Sequence, residues 1–219
     1  MDVLYYIGGG SMRHNIELRL SLRSIEKFGK NIDRVWIVGN KPEFLQNVEY
    51  LWVEDKYDWW QNAFEKTKAA INAGISEDFL LMNDDFFMTA PFDAETYPYY
   101  HRGEMPEDNT RAYQKVITNT KRILKGLGAT TYHYGVHCPM RINGKKYLEL
   151  EKYFKESVSA RCLYGNLYCK GRKVADCKGV DMKQSQTKCW SSKTWLTDEN
   201  IKALKEMFPS PSKYEKEDI

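Results

Sequence analysis

The sequence predicts an α/β fold with a mainly parallel sheet flanked by helices, and three observations lead to it. Roughly the first 90 residues alternate short apolar runs with helical patterns in the order β-α-β-β-α-β. The run Phe79-Leu80-Leu81-Met82 is apolar at every position, as in a strand buried on both faces. It stops abruptly in Asn83-Asp84-Asp85, and open α/β sheets place their ligand crevice at the carboxyl edge of such strands.

Each element has its own signal. Residues 2–7 (DVLYYI) form a short apolar strand that runs into Gly8-Gly9-Gly10-Ser11. Asn15 is placed to cap a helix reaching about Phe28, with Leu18, Leu22 and Ile25 on its apolar side. Residues 34–38 (RVWIV) make a second strand, stopped by Gly39-Asn40 and Pro42, and residues 48–53 a third, ending in Glu54-Asp55. Asp58 opens a helix through Ala73, with Gly74 suited to the position after its end. After the FLLM strand, residues 93–128 read as an insertion: a loop with Pro98, Gly103 and Pro106, then a polar helix from about Asn109 to Lys125 closed by Gly126 and Gly128. A strand-like stretch from Thr130 to Val136 leads into His137-Cys138-Pro139, residues 145–154 read as a helix, and Thr197 caps a last one to about Phe208. With no internal repeat and no low-complexity linker, residues 1–219 are expected to form one domain.

Bulk properties narrow the class. Hydrophobic residues make up 42% and aromatic residues 14%, an ordinary globular composition. No apolar stretch approaches the ~20 residues that span a bilayer, and the start MDVLYYIGGG lacks the basic, long apolar pattern of a signal peptide. The five cysteines are odd in number and contain no C-x-x-C pair, which argues against a zinc site or a secreted disulfide framework and fits a reducing cytoplasm. Net charge is +3, but residues 141–195 carry 13 Lys and Arg against 5 Asp and Glu. Such a block attracts phosphates, nucleic acid or an acidic glycan, or is simply a solvated surface. It marks 141–195 as a candidate acceptor-side region, without a run dense enough for a nucleic-acid arm.

Four features carry possible chemistry. Asp84 and Asp85 are hard oxygen ligands suited to Mg²⁺ or Mn²⁺ holding a substrate diphosphate, the alternative being a solvated acidic turn. The glycine run could bring backbone amides to a nucleotide, although it is neither a Walker loop nor G-x-G-x-x-G. Arg19 and Arg23 share a helix face and could clamp a diphosphate, or pair with Glu26 or Asp33. His137, just past a strand-like segment and four residues after His133, is a candidate base or metal ligand, or a structural histidine.

Taken together, several segments resemble the stealth family of sugar-phosphate transferases, which includes capsular polysaccharide phosphotransferases and the lysosomal-enzyme N-acetylglucosamine-1-phosphotransferase. Residues 17–28 (ELRLSLRSIEKF) are similar to its ELRYSLRSIEK signature, and RVWIV at 34–38 to its R-I-F-I-V strand. FLLMNDDFF at 79–87 is similar to F-L-Y-L-N-D-D-V-F, and His137-Cys138-Pro139 with Arg141 to H-x-P-R. Arg161 with Tyr164 and Tyr168, and the closing FPSPSKYE at 208–215, match later elements in family order. The family's opening T-W-V-D-G-S-D is here Tyr6-Ile7-Gly8-Gly9-Gly10-Ser11, without its acids.

The resemblance implies a GT-A-like fold and metal-dependent transfer of a sugar or sugar-1-phosphate from a nucleotide sugar, a UDP-sugar first, to a glycan hydroxyl. Asp84 and Asp85 would hold Mg²⁺ or Mn²⁺, while Arg19, Arg23 and Arg161 would neutralise phosphate charge. Gly8, Gly9, Gly10, Ser11, Asn62, Asn83 and Arg141 would complete the donor side. His137 would act near the transferred group and serve as base, with Asp85 as fallback, and Arg161 counts with them among the catalytic residues. The basic block leaves glycosylation of hydroxylated bases in DNA open as one alternative, and Asp84, Asp85 and His137 leave a metal-dependent phosphodiesterase or nuclease as a second. A binding module that keeps only the fold is the third.

Overall fold

The computed structural model describes residues 1–9, 13–107, 112–192 and 195–216. The chain runs through β1 (Asp2–Ile7), α1 (Ile16–Phe28), the two-residue β2 (Gly29–Lys30), β3 (Val35–Gly39), β4 (Glu49–Leu51), α2 (Trp59–Asn72) and β5 (Asp78–Met82). Apart from β2, these are the six expected elements in the expected order. Short strands β6 (Phe87–Met88), β7 (Phe92–Asp93) and β8 (Tyr100–His101) follow, then α3 (Ala112–Gly126), β9 (Met140–Asn143), α4 (Gly144–Leu148) and α5 (Ala160–Tyr168). The chain ends through β10 (Arg172–Lys173), β11 (Cys189–Trp190) and α6 (Asp198–Met207).

The central sheet has the order β4-β3-β1-β5-β9. β1 pairs in parallel with β3 and β5, β3 in parallel with β4, and only β9 runs antiparallel, against β5. Successive strand side chains alternate between faces. Val3, Tyr5, Ile7, Leu80 and Met82 meet Leu18, Leu22 and Ile25 of α1 on one side. Leu4, Trp36, Val38, Phe79 and Leu81 meet Phe64 and Ala70 of α2 and Leu163 of α5 on the other. Helices cover both faces, so the FLLM run can be apolar throughout. From β1 the chain steps outward to β3 and β4, then crosses back so that β5 pairs with β1 on its other side. The switch point therefore lies at the carboxyl ends of β1 and β5, which deliver Gly8 and Asn83-Asp84-Asp85 to one edge.

Helix starts follow their capping chemistry. Asp58 accepts from the amides of Trp60 and Gln61, both at 3.0 Å, and Thr197 forms a reciprocal capping box with Asn200. Asn15 holds the position before α1 in a left-handed conformation (φ 56°), and its side chain makes no cap. Two expectations fail locally. Residues 130–136 form no strand beyond a single bridge from Tyr132 to Glu104, because the Asn166 side chain takes both the Tyr132 amide (2.8 Å) and its carbonyl (2.7 Å). The helix expected over 145–154 breaks after α4 into a one-turn 3₁₀ segment, Glu151–Tyr153. The start of the 109–125 helix falls partly outside the described residues. No helix among the described residues is long and apolar enough to cross a membrane.

The C-terminal segment returns to α1 through one buried carboxylate. Glu215 accepts from Arg23 Nε and Nη2, both at 2.8 Å, from Arg19 Nη1 at 3.1 Å and from the Ser212 amide at 2.9 Å. Burial works to raise the Glu215 carboxyl, but Arg23 and Ser212 outweigh it and hold the group below its ordinary range. Arg19 also packs its guanidinium 4.0 Å over the Phe44 ring. This corrects their expected role: Arg19 and Arg23 neutralise Glu215 and staple the chain end, and neither lines the candidate site. Removing the carboxylate would take the Glu215 counter-charge away from the largely buried Arg23 guanidinium. Glu215→Ala is expected to lower stability by about 3–5 kcal/mol in urea unfolding; a loss below about 1 kcal/mol would contradict the staple.

Candidate functional site

A cavity of about 700 Å³ opens at the switch point. Its floor is made by Tyr6 and Gly8 after β1 and by Asn83, Asp84 and Asp85 after β5. Glu17 of α1 and Asp55, Asn62 and Lys66 from the β4–α2 region form its walls, with Ser192, Trp195 and Leu196 across from them. Carboxylates predominate. Lys66 is buried, yet its ammonium is engaged by Asp55 at 2.6 Å and by the Ile7 carbonyl at 2.9 Å. Asp85 accepts from the Ser191 hydroxyl at 2.8 Å, and Ser191 is carried in by the pairing of β11 with β6. Burial first, then the neighbouring Asp85 and Glu17 charges, push the Asp84 carboxyl up to about 7.

A second cavity, of about 450 Å³, shares Tyr6, Trp59, Ala63 and Asn83 with the first. The Tyr6 hydroxyl donates to Asn83 Oδ1 at 2.7 Å and fixes that partition. Trp60, Phe86, Tyr113 and Tyr147 give the second cavity aromatic walls, and Arg102, His137, Arg161 and Lys178 give it positive or ionisable groups; among the described residues no Asp or Glu lines it. His137 Nδ1 lies 3.0 Å from both Asp176 oxygens, and the His137 amide donates to Asp176 at 3.0 Å. Burial opposes ionisation of Asp176, but His137 and Arg102 overcome it and hold its carboxyl far below the ordinary range. Arg102 bonds Asp176 at 2.9 Å and reaches His133 Nε2 at 2.8 Å. Burial and Arg102 lower His133 to about 4, so at neutral pH its ring is uncharged.

The structure thus brings Gly8, Asn62, Asn83, Asp84 and Asp85 to one cavity and His137 and Arg161 to its neighbour. Gly9 lies next to them, where an added Cβ would come 3.1 Å from Asn40. Gly10 and Ser11 lie outside the described residues. Asn62 acts partly through the chain: it accepts from the Lys56 and Tyr57 amides at 3.1 and 2.9 Å and so shapes the wall before α2. Arg141 is elsewhere, which corrects its donor-side assignment. On β9 it donates to the Tyr97 and Glu95 carbonyls, both at 2.7 Å, because the antiparallel edge points it at the 95–97 turn. Sequence reasoning missed Asp176, Arg102, Tyr113, Lys66 and Ser191. Asp176 is one of five acids among the lysines of 141–195, which was the only available cue.

No family model matches the chain, and no curated protein matches it in sequence. Solved structures do match in shape. The galactosyltransferase LgtC in complex with donor and acceptor sugar analogs superposes with a TM-score of 0.50 at 11% identity, over 97% of this chain and 98% of that one. An active-site mutant of LgtC gives 0.51 at 11% identity over the same shares. Mouse xyloside xylosyltransferase 1 gives 0.44 at 10% identity, over 87% and 97%. The fold is GT-A-like. Within that fold the acidic cavity occupies the carboxyl edge of the central strands.

Asp84 generates a pH prediction. Its folded carboxyl holds a proton up to about pH 7, whereas the unfolded one releases it near 3.8. Between those values the folded state binds the extra proton, so rising pH costs stability, and the loss is complete above the folded value. Asp84→Asn lacks this slope and should gain a few kcal/mol on the wild type from about pH 4 to pH 8. Urea unfolding across that range checks it; a pH-independent difference would count against the buried carboxyl.

Proposed function

We propose that this protein is a metal-dependent transferase that moves a sugar from a nucleotide-sugar donor, a UDP-sugar first, to an acceptor hydroxyl, with a glycan as the acceptor class. The observation that carries this reading is the pair Asp84–Asp85, held at the carboxyl edge of β5 in a cavity whose lysine among the described residues, Lys66, is engaged by Asp55 and the Ile7 carbonyl. Among the described residues no three His, Cys, Asp or Glu side chains converge as a metal site. Two carboxylates fit Mg²⁺ or Mn²⁺ all the same, because these ions keep waters and take substrate phosphates as further ligands. Bound there, the ion would supply positive charge to the donor diphosphate and its leaving group.

The chain's own residues do the rest. Gly8 leaves room at the cavity floor, Asn83 offers its amide NH₂ once Tyr6 occupies Oδ1, and Asn62 and Lys66 hold the walls. Asp176 on His137 Nδ1 leaves Nε2 to take the acceptor proton as the new glycosidic bond forms and the sugar–diphosphate bond breaks. The likeness in fold to a galactosyltransferase solved with donor and acceptor sugar analogs supports sugar transfer. The motif order that resembles the stealth family's keeps sugar-1-phosphate transfer as the finer alternative. Nucleic acid as acceptor draws on the 141–195 charge, of which Arg161 and Lys178 line the second cavity.

The decisive experiment offers a panel of nucleotide sugars with Mn²⁺ and identifies the released nucleotide by mass spectrometry. Glycosyl transfer releases nucleoside diphosphate; nucleoside monophosphate would establish sugar-phosphate transfer in its place. Asp85→Ala should abolish turnover with the fold intact, and unchanged turnover would sink the metal role. Asp176→Asn should lower kcat by about 10²-fold or more while donor KM stays within about twofold. An equal rise in KM would place His137 in binding and not in proton transfer.

A further inference from the structure

The two adjoining cavities have opposite electrostatic character, and their contrast centres on Arg161. This residue occupies the first turn of α5, behind Ser159, which caps the Cys162 amide. Its Nη2 donates to the Cys138 carbonyl at 2.6 Å and to the Val136 carbonyl at 3.2 Å. Among the described residues its buried Nε and Nη1 have no hydrogen-bond partner, and no carboxylate lies within ion-pair distance of the guanidinium. Asp176, the nearby acid, is committed to His137 and Arg102. Unmet donors on a cation are costly, and with no counter-charge among the described residues the guanidinium keeps its positive charge at the wall of the cavity it lines.

The surroundings favour an anion at that point. Lys178 lines the same cavity, among the described residues no acid does, and Ser159, Ala160 and Arg161 bring the positive end of a nine-residue helix to its wall. The aromatic side is equally specific. Trp60 and Tyr113 stack at 6.2 Å with 22° between planes, and Trp59 crosses Tyr6 edge-on at 6.1 Å. Flat aromatic faces beside a guanidinium suit a sugar ring that bears a carboxylate or phosphate. Gly135 lets the chain pass close to His133 and Tyr113 in this wall: a Cβ there would meet the His133 ring at 2.6 Å.

We propose that the second cavity is an acceptor subsite for an acidic saccharide, whose carboxylate or phosphate monoester is bound by Arg161 with Lys178. The acceptor assignment rests on the transferase reading above; anion binding in this cavity does not. The sugar hydroxyl to be modified then faces the Tyr6–Asn83 partition, with His137 on the same side and the donor beyond it. The donor's own phosphates belong to the acidic cavity and its metal, so donor and acidic acceptor bind together.

Calorimetric titration of the whole chain with glucose 6-phosphate, glucuronate and glucose tests this directly. The acidic sugars should bind at least about tenfold more tightly than glucose. Arg161→Gln should remove that preference while leaving glucose binding within about twofold, and Lys178→Gln should weaken it about threefold or more without touching the α5 anchor. Equal affinity for acidic and neutral sugars, or an acid preference unchanged in both variants, would overturn the anion site. Repeating the titration with UDP and Mn²⁺ present separates the two phosphate sources. Unchanged acidic-sugar affinity supports the acceptor subsite, and competition would assign Arg161 to the donor and overturn it. Absence of transfer in the nucleotide-sugar panel, with anion binding intact, would strike the transferase reading and leave the site standing.

Discussion

Asp84 and Asp85 stand where the buried strand β5 ends, and among the described residues neither pairs with a Lys or Arg. Keeping two carboxylates together in a half-dry cleft is unfavourable, as the raised Asp84 carboxyl records. The architecture maintains them regardless. β1 and β5 are locked in parallel register, α1 and α2 bury both faces of the sheet, and Ser191 comes from the C-terminal half to hold Asp85. In the proposed transferase, a divalent cation with a diphosphate would turn this local cost into a binding site.

Charge is partitioned across a thin wall. The Tyr6–Asn83 hydrogen bond divides an acidic cavity, floored by Asp84 and Asp85, from a basic aromatic one that contains His137 and Arg161. One side would take a metal-bound diphosphate and the other an anion-bearing acceptor, with the reacting atoms meeting at the partition. The network Tyr113–His133–Arg102–Asp176–His137 ties the basic side together. Neutral His133 lets Arg102 keep its charge directed at Asp176, which in turn fixes the tautomer of His137.

Local patterns were legible in the sequence where a single physical cause decided them. FLLM is apolar because helices cover both faces of β5, and Asp58 and Thr197 cap their helices through side-chain geometry alone. Asp84 and Asp85 could be located because they end a strand. What depends on distant partners was not legible. Arg19 and Arg23 form the expected i, i+4 pair, but Glu215, nearly 200 residues later, claims both. Arg141 likewise turns to carbonyls that only the antiparallel addition of β9 brings close. Asp176 had no local signature, since its meaning comes from His137 across 39 residues.

The central claim is that Asp84 and Asp85 bind a divalent ion jointly with a nucleotide diphosphate. Electron paramagnetic resonance of Mn²⁺, titrated into the protein at pH 8 with and without UDP, measures free and bound ion directly. UDP should tighten Mn²⁺ binding by about tenfold or more, and Asp84→Asn and Asp85→Asn should each abolish the gain. Mn²⁺ binding indifferent to UDP, or unaltered in both variants, would contradict it.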